Sequence, residues 1–232
     1  MIDGHAVLAV IPARGNSKGL PRKHLLDAGG KPVLAWSIEA GKGSRYIDRL
    51  ILSSEDEEII AVAEEWGCEA AFRRPSSLAT DTAKIEDVLI HALEALAEPY
   101  DYLVLLQPTS PLRTAADIDG CLETCRSSGA PACVAVSEPR KSPYWMFRIG
   151  EDGQMHPLFA EYKDTFRRQD LPPAHGVNGA VYVAEVAWFR ERQSFIGPDT
   201  RAYVMPPVRS IDLDGEQDLI FLRALIAGNT AN

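Results

Sequence analysis

At 232 residues, with 46% hydrophobic and 25% charged side chains, the chain has the make-up of one large soluble domain or a domain with a small appendage. Its 33 Asp and Glu against 24 Lys and Arg leave a net charge of −9, which argues against general nucleic-acid binding and against an anionic membrane surface. Four cysteines are too few for a disulfide framework at this length, and no run has membrane-spanning length or signal-peptide character, so the cytoplasm is the expected compartment.

The first expected strand is Val7–Ile11. It ends at Pro12 and opens into a loop, Ala13 to Lys23, that carries Arg14, Lys18, Arg22 and Lys23. Gly15, Ser17 and Gly19 let backbone N–H groups approach a ligand, while Arg14, Lys18 and Lys23 would neutralise a multiply charged anion such as a triphosphate. A solvated basic turn is the alternative; position after a buried strand favours the ligand. The spacing is neither a Walker loop nor G-x-G-x-x-G, which disfavours P-loop hydrolysis and nicotinamide binding.

A short helix at Ala35–Ala40 follows Pro32, then a strand at Arg49–Leu52. The spacing of Ile59, Ala63 and Trp66 predicts a helix over Glu57–Trp66, and Ala70–Phe72 is a short strand candidate. Ile85, Val88, Leu89, Ala92, Leu93 and Leu96 form a full apolar stripe on a helix over Lys84–Leu96. A strand at Tyr102–Leu106, a helix at Asp117–Arg126 and a strand at Ala132–Val136 complete a β-α-β rhythm. That rhythm predicts an α/β fold: a Rossmann-like, doubly wound, mostly parallel sheet with ligands at the carboxyl ends of its strands. Cys121 and Cys125 share a helix face, but no third ligand lies nearby in sequence, so they read as buried thiols.

After Pro139 the rhythm changes. Tyr144–Ile149, a turn at Glu151-Asp152-Gly153 and Gln154–Phe159 read as a hairpin, followed by a polar stretch over Glu161–His175. Residues 140–175 are therefore read as an excursion, a lid or dimerisation arm, set on a domain formed by residues 1–139 and 176–232. Strands at Val181–Val183 and Ala202–Met205 and a helix at Glu216–Ile226 bring the chain back.

Three further segments carry chemistry. In Ser210-Ile211-Asp212-Leu213-Asp214-Gly215 an extended backbone would put Asp212 and Asp214 on one face, a pair of hard carboxylates suited to Mg²⁺, although Asp214 could equally cap the next helix. Gln107-Pro108-Thr109-Ser110-Pro111-Leu112-Arg113 is either a plain tight turn or a substrate wall, with Gln107 best placed to reach a ligand. Arg168 could hold a carboxylate in its fork or be a surface arginine. Trp145, Tyr182 and Phe195 suit a sugar face or the core.

Taken together, Ile11–Pro21 with Lys23, Arg74-Pro75, Leu78–Thr82, Leu106–Arg113, Arg168–Pro172, Asn178–Tyr182 and Ser210–Asp214 resemble, in order, the motifs of the acylneuraminate cytidylyltransferase family. The resemblance implies a CTP-dependent transferase that activates a nonulosonic, sialic acid-like sugar to its CMP-sugar, acting as a homodimer. On that basis Ala13, Arg14, Asn16, Ser17, Lys18, Lys23, His24 and Arg74 would bind the nucleotide, with Arg14, Lys18 and Lys23 assisting catalysis. Asp212 and Asp214 would hold Mg²⁺, and Gln107, Arg168, Tyr182 and Phe195 would face the sugar. The family's usual asparagine after the loop lysine is His24 here, and a serine common near the nucleotide is Ile85. A sugar-side lysine becomes Trp145 and an arginine becomes Gly176. Those last two changes leave a more apolar pocket, as in enzymes for legionaminic-type sugars. A 3-deoxy-octulosonate cytidylyltransferase and a non-catalytic nucleotide-sugar-binding protein are the competing readings.

Overall fold

The computed structural model describes residues 1–162, 164 and 167–229; Lys163, Thr165 and Phe166, in the polar stretch, and Thr230–Asn232 lie outside it. In chain order the elements are β1 (Val7–Pro12), α1 (Val33–Lys42), β2 (Arg49–Ser53), α2 (Glu57–Glu65), α3 (Ile85–Leu96), β3 (Tyr102–Leu105), α4 (Ala115–Ser128) and β4 (Ala132–Ser137). There follow β5 (Phe147–Ile149), β6 (Met155–Pro157), β7 (Gly176–Glu185), α5 (Val186–Arg192), β8 (Arg201–Val204) and α6 (Glu216–Asn229). Among the described residues one six-stranded sheet runs β2-β1-β3-β7-β4-β8, while β5 and β6 pair only with each other.

Local chemistry sets the helix ends. The Asp56 carboxylate accepts from the Glu58 and Ile59 N–H groups to start α2, and Thr114 and Asp117 form a reciprocal capping box on α4. Gly129, at φ 64°, stops α4 in the left-handed conformation that glycine adopts without strain. Strands β1 and β3, inside the sheet, are apolar on both faces, as a sheet covered on both sides requires. Ile38, Ile59 and Leu122 pack on one face; Leu89, Leu93 and Phe189 pack on the other.

Strand β7 runs antiparallel to both β3 and β4. The excursion explains this direction. The chain leaves β4 at its carboxyl end, makes the hairpin there and re-enters the sheet from the same end. One expectation is corrected and one, on the cysteines, holds. Ala70–Phe72 is not a strand, because only one isolated bridge, Ile51 to Glu69, joins this segment to the sheet edge. Cys121, Cys125 and Cys133 are fully buried core thiols, and burial pushes Cys125 up to about 12, so they are inert.

Candidate active site

The loops after β1 and β3, the segment from Arg74 into α3 and the stretch before α6 surround a cleft of about 310 Å³, whose wall includes Arg14, Lys23, His24, Arg74, Gln107, Asp212 and Asp214. The basic loop and the acidic couplet meet there. Lys23 Nζ donates to the Leu213 carbonyl at 3.1 Å and pairs with Asp214 Oδ1 at 3.2 Å. Gly19 permits the approach: a Cβ at that position would stand 2.4 Å from the Asp214 carbonyl oxygen.

The loop cations divide into separate jobs. Arg22 turns away, at φ 55°, and pairs with Asp56 at 2.5 Å and with Glu58, so it ties the loop to α2. Arg14 and Lys18 converge on one carboxylate, Asp81, at 2.9 and 2.8 Å. Lys18 and Asn16 are exposed and Ser17 is half-buried, and of this group only the partner of Lys18, Asp81, lines the cleft. Ala13 offers no free backbone group: its N–H donates to Ser53 O at 3.0 Å and its carbonyl accepts from Arg74 Nη2 at 3.1 Å. It shapes the loop rather than presenting a donor. Arg74 is also buried against Glu55 at 2.5 Å, and Glu55 accepts from the Gly15 N–H at 2.8 Å.

His24 is buried in the cleft wall and its Nδ1 has no hydrogen-bond partner among the described residues. Burial, reinforced by Lys23, Arg74, Arg14 and Arg22, lowers its pKa to about 3. The ring is therefore neutral at pH 7 and can hydrogen-bond an incoming hydroxyl.

The acidic couplet is held by its backbone. Ile211 and Leu213 are buried while Asp212 and Asp214 are exposed, the alternation expected of an extended segment. Leu213 N–H donates to Thr109 O at 2.8 Å. The Asp218 carboxylate accepts from the N–H groups of Asp214 at 3.0 Å and Gly215 at 2.9 Å, so Asp218 makes the capping contacts and the Asp214 side chain is left to the cleft. Protein packed around Asp212 raises its pKa, against a hydrogen bond from Thr109 and with added repulsion from Asp214.

A family model described as "Cytidylyltransferase" matches residues 8–197. The chain belongs to the cytidylyltransferase family. It is 33% identical over 225 residues to a pseudaminic acid cytidylyltransferase of Campylobacter jejuni, covering 96% of this chain and 97% of that one. It is 30% identical to the CMP-N,N'-diacetyllegionaminic acid synthase of Legionella pneumophila over 96% of this chain and 97% of that one. A solved CMP:2-keto-3-deoxy-manno-octonic acid synthetase, complexed with CTP, superposes with a TM-score of 0.70 at 18% identity, covering 97% of this chain and 99% of that one. That likeness establishes the Rossmann-like fold.

The far side of the cytidylyltransferase cleft is looser. Gln107 lines it, and Gly179, at φ 74°, lies so close that a Cβ would meet Gln107 Oε1 at 2.9 Å. Tyr182, half-buried on β7, packs on Phe195 with ring centroids 5.4 Å apart. Phe195 corrects the sequence expectation: it is 4% exposed, packed against Phe189 at 4.7 Å, and supports Tyr182 from the core instead of facing a sugar. Arg168 is also outside the cleft. It pairs with Glu138 at 2.7 Å and donates to Pro139 O at 3.0 Å, on the wall of a separate hollow of about 460 Å³. A third hollow, of about 470 Å³, contains Asp212 together with Glu138 and Pro139 and so lies between the other two.

Sequence reasoning gave no role to Asp81, Glu55 or Arg113. Asp81 and Arg113 lie inside the motifs that carry the resemblance, which was their only signal. Glu55 had none.

Proposed function

We propose that this cytidylyltransferase joins the cytidylyl group of CTP to the anomeric hydroxyl of an acidic nonulosonic sugar, giving the CMP-sugar and pyrophosphate. The carrying observation is the meeting of Lys23 and Asp214, 3.2 Å apart, in a cleft that also holds Arg14, His24 and Arg74. The names of the Campylobacter and Legionella relatives support the substrate class. The sugar hydroxyl bonds to the α-phosphorus in line as the bond from that phosphorus to the bridging oxygen breaks. Arg14, Lys18 and Lys23 bind the phosphates and stabilise charge gathering on the departing pyrophosphate. His24 and Arg74 face the nucleoside, with His24 hydrogen-bonding a ribose hydroxyl.

Among the described residues no group of three or more His, Cys, Asp or Glu could hold a metal alone. Two adjacent, mutually repelling carboxylates fit Mg²⁺, a hard cation that completes its shell with phosphate oxygens and water. Held by Asp212 and Asp214, it would polarise the phosphate and acidify the attacking hydroxyl.

On the acceptor side, Gln107 and Tyr182 orient the sugar and Arg168 reaches its carboxylate once freed from Glu138. Trp145 and Gly176, in place of cations, favour deoxy and acetamido substituents of the legionaminic type. A homodimer completes this wall: Ile149 and Met155 of the hairpin are each 60% exposed, and an isolated two-stranded hairpin is marginal without a covering surface. No helix among the described residues is long and apolar enough to cross a membrane, and we place the enzyme with its CTP in the cytoplasm. Incubation with CTP, Mg²⁺ and a panel of nonulosonates, with 3-deoxy-octulosonate as control, tests the reading by the mass of the CMP-sugar. Product only from the octulosonate, or CTP binding without any product, overturns it.

A further inference from the structure

The transfer step outlined above makes no use of Arg113, which sits at the end of the turn that follows β3. Arg113 is 3% exposed, and no carboxylate lies within ion-pair distance of it among the described residues. An unpaired buried cation is costly, and a methionine would fill similar space without that cost. The guanidinium instead grips three elements. Its Nε donates to Ala180 O at 2.6 Å, Nη1 to Ser37 Oγ at 2.7 Å and Nη2 to Gln107 O.

Two of those elements carry the site. Gln107 lines the cleft, and Ala180 follows Gly179, whose α-carbon packs against the Gln107 side chain. The same turn holds the acidic couplet, because Thr109 O receives the N–H of Leu213 at 2.8 Å, between Asp212 and Asp214. A second tie runs from Ser110 Oγ to Asn178 O at 3.2 Å and from Asn178 Nδ2 to Ser210 Oγ at 2.9 Å. The ends of this turn, Gln107 and Arg113, are thus bonded to each other across its base. None of these bonds reaches the basic loop at residues 13–23.

We propose that Arg113 is a positioning residue for the transfer: it fixes Gln107 relative to the Asp212–Asp214 couplet, so that acceptor and phosphate meet in line, and it touches neither. Its planar fork spreads its donors over three nitrogens and so reaches acceptors on three sides, whereas the three donors of a lysine leave a single nitrogen and cannot span them. The inference rests on the proposed cytidylyl transfer.

The test compares Arg113→Lys and Arg113→Met with the wild type. Both are expected to keep the wild-type affinity for CTP, by calorimetry without metal, while kcat falls about a hundredfold, the scale of a misplacement near 1 Å. In Arg113→Ala, added guanidinium should restore turnover saturably. If Arg113→Met does not fold, Arg113→Lys and the guanidinium rescue decide. Wild-type kcat in a folded variant overturns the proposal. So does a loss of CTP affinity and thermal stability in step with activity, since that marks a merely structural arginine. A wild-type protein that binds CTP but transfers it to no nonulosonate refutes the reaction itself, a separate outcome.

Discussion

The two walls of the cleft are built differently. The wall proposed for the nucleotide joins the loop after β1 to the segment from Arg74 to Val88, and the loop is braced by Glu55 and Asp56 just past β2 and by Arg74 beyond α2. Its cations are held by carboxylates of the protein, Arg22 by Asp56, and Arg14 and Lys18 by Asp81. Of the groups proposed to meet the acceptor, Gln107 after β3 lines the cleft, Tyr182 stands half-buried on β7, and Arg168 lies in another hollow, paired with Glu138. Fixed charges serve a ligand whose triphosphate never varies, and preorganisation gives them their value in the transition state. The acceptor wall leans on an excursion whose strands lie outside the main sheet, a construction suited to adaptation toward different sugars.

The comparison breaks most readily at the couplet. Asp214→Asn should lower kcat at least about a hundredfold in the coupled pyrophosphate assay, with circular dichroism unchanged, because the Thr109 and Asp218 backbone anchors remain. Full Mg²⁺-dependent turnover in that variant would remove the couplet from the mechanism. Arg168→Ala should raise the KM for the sugar roughly tenfold while leaving CTP affinity alone, the signature of lost ground-state binding on one wall only. An equal effect on both substrates would mean that the walls are not independent.

The cationic loop was legible because it is local: contiguous residues after an apolar strand carry its charge, and Arg14 and Lys23 of that loop line the cleft. Sequence reasoning left Arg22 out of the anion-binding set but gave it no other job, since the carboxylates that claim it, Asp56 and Glu58, lie at the start of α2. The acceptor wall was less legible because it depends on long-range placement. Gly176, Asn178 and Gly179 interrupt the apolar pattern that marks strands, so β7 read as Val181–Val183 when the strand is ten residues long. The antiparallel entry of β7 and the burial of Phe195 behind Tyr182 follow from where the excursion rejoins the sheet, which no window of sequence contains. Helix α5, seven residues long, gave too short a period to notice.

His24 sharpens the contrast at smaller scale. Its folded pKa, about 3, lies below the unfolded value near 6.5. Between those limits the unfolded chain binds a proton that the folded chain refuses, so this residue makes stability fall as pH falls. From pH 7 to 5.5 its share of the loss is about 1 kcal/mol. In urea titrations at those two pH values, His24→Asn should show a loss smaller by that amount, every other titrating group being common to both proteins. Equal losses would place the ring in contact with water or with a carboxylate.

The smallest expected effect concerns Asp81, which holds Arg14 and Lys18 as a phosphate would. Lys18 foremost, then Arg14, keeps this carboxylate below its ordinary pKa, so it is ionised at neutral pH and competes with an incoming anion. The pairs are solvent-exposed, and exposed pairs are weak, so their release should cost the ligand only a few-fold in affinity. Asp81→Asn should therefore bind pyrophosphate about threefold more tightly than the wild type, with CMP binding unchanged because its single phosphate stops short of these cations. The gain should shrink as salt is added, since screening already weakens the competing pair. Weaker pyrophosphate binding in the variant would reverse the assignment: Asp81 would then be the brace that aims Arg14 and Lys18, and the nucleotide wall would owe its order to a carboxylate it must keep.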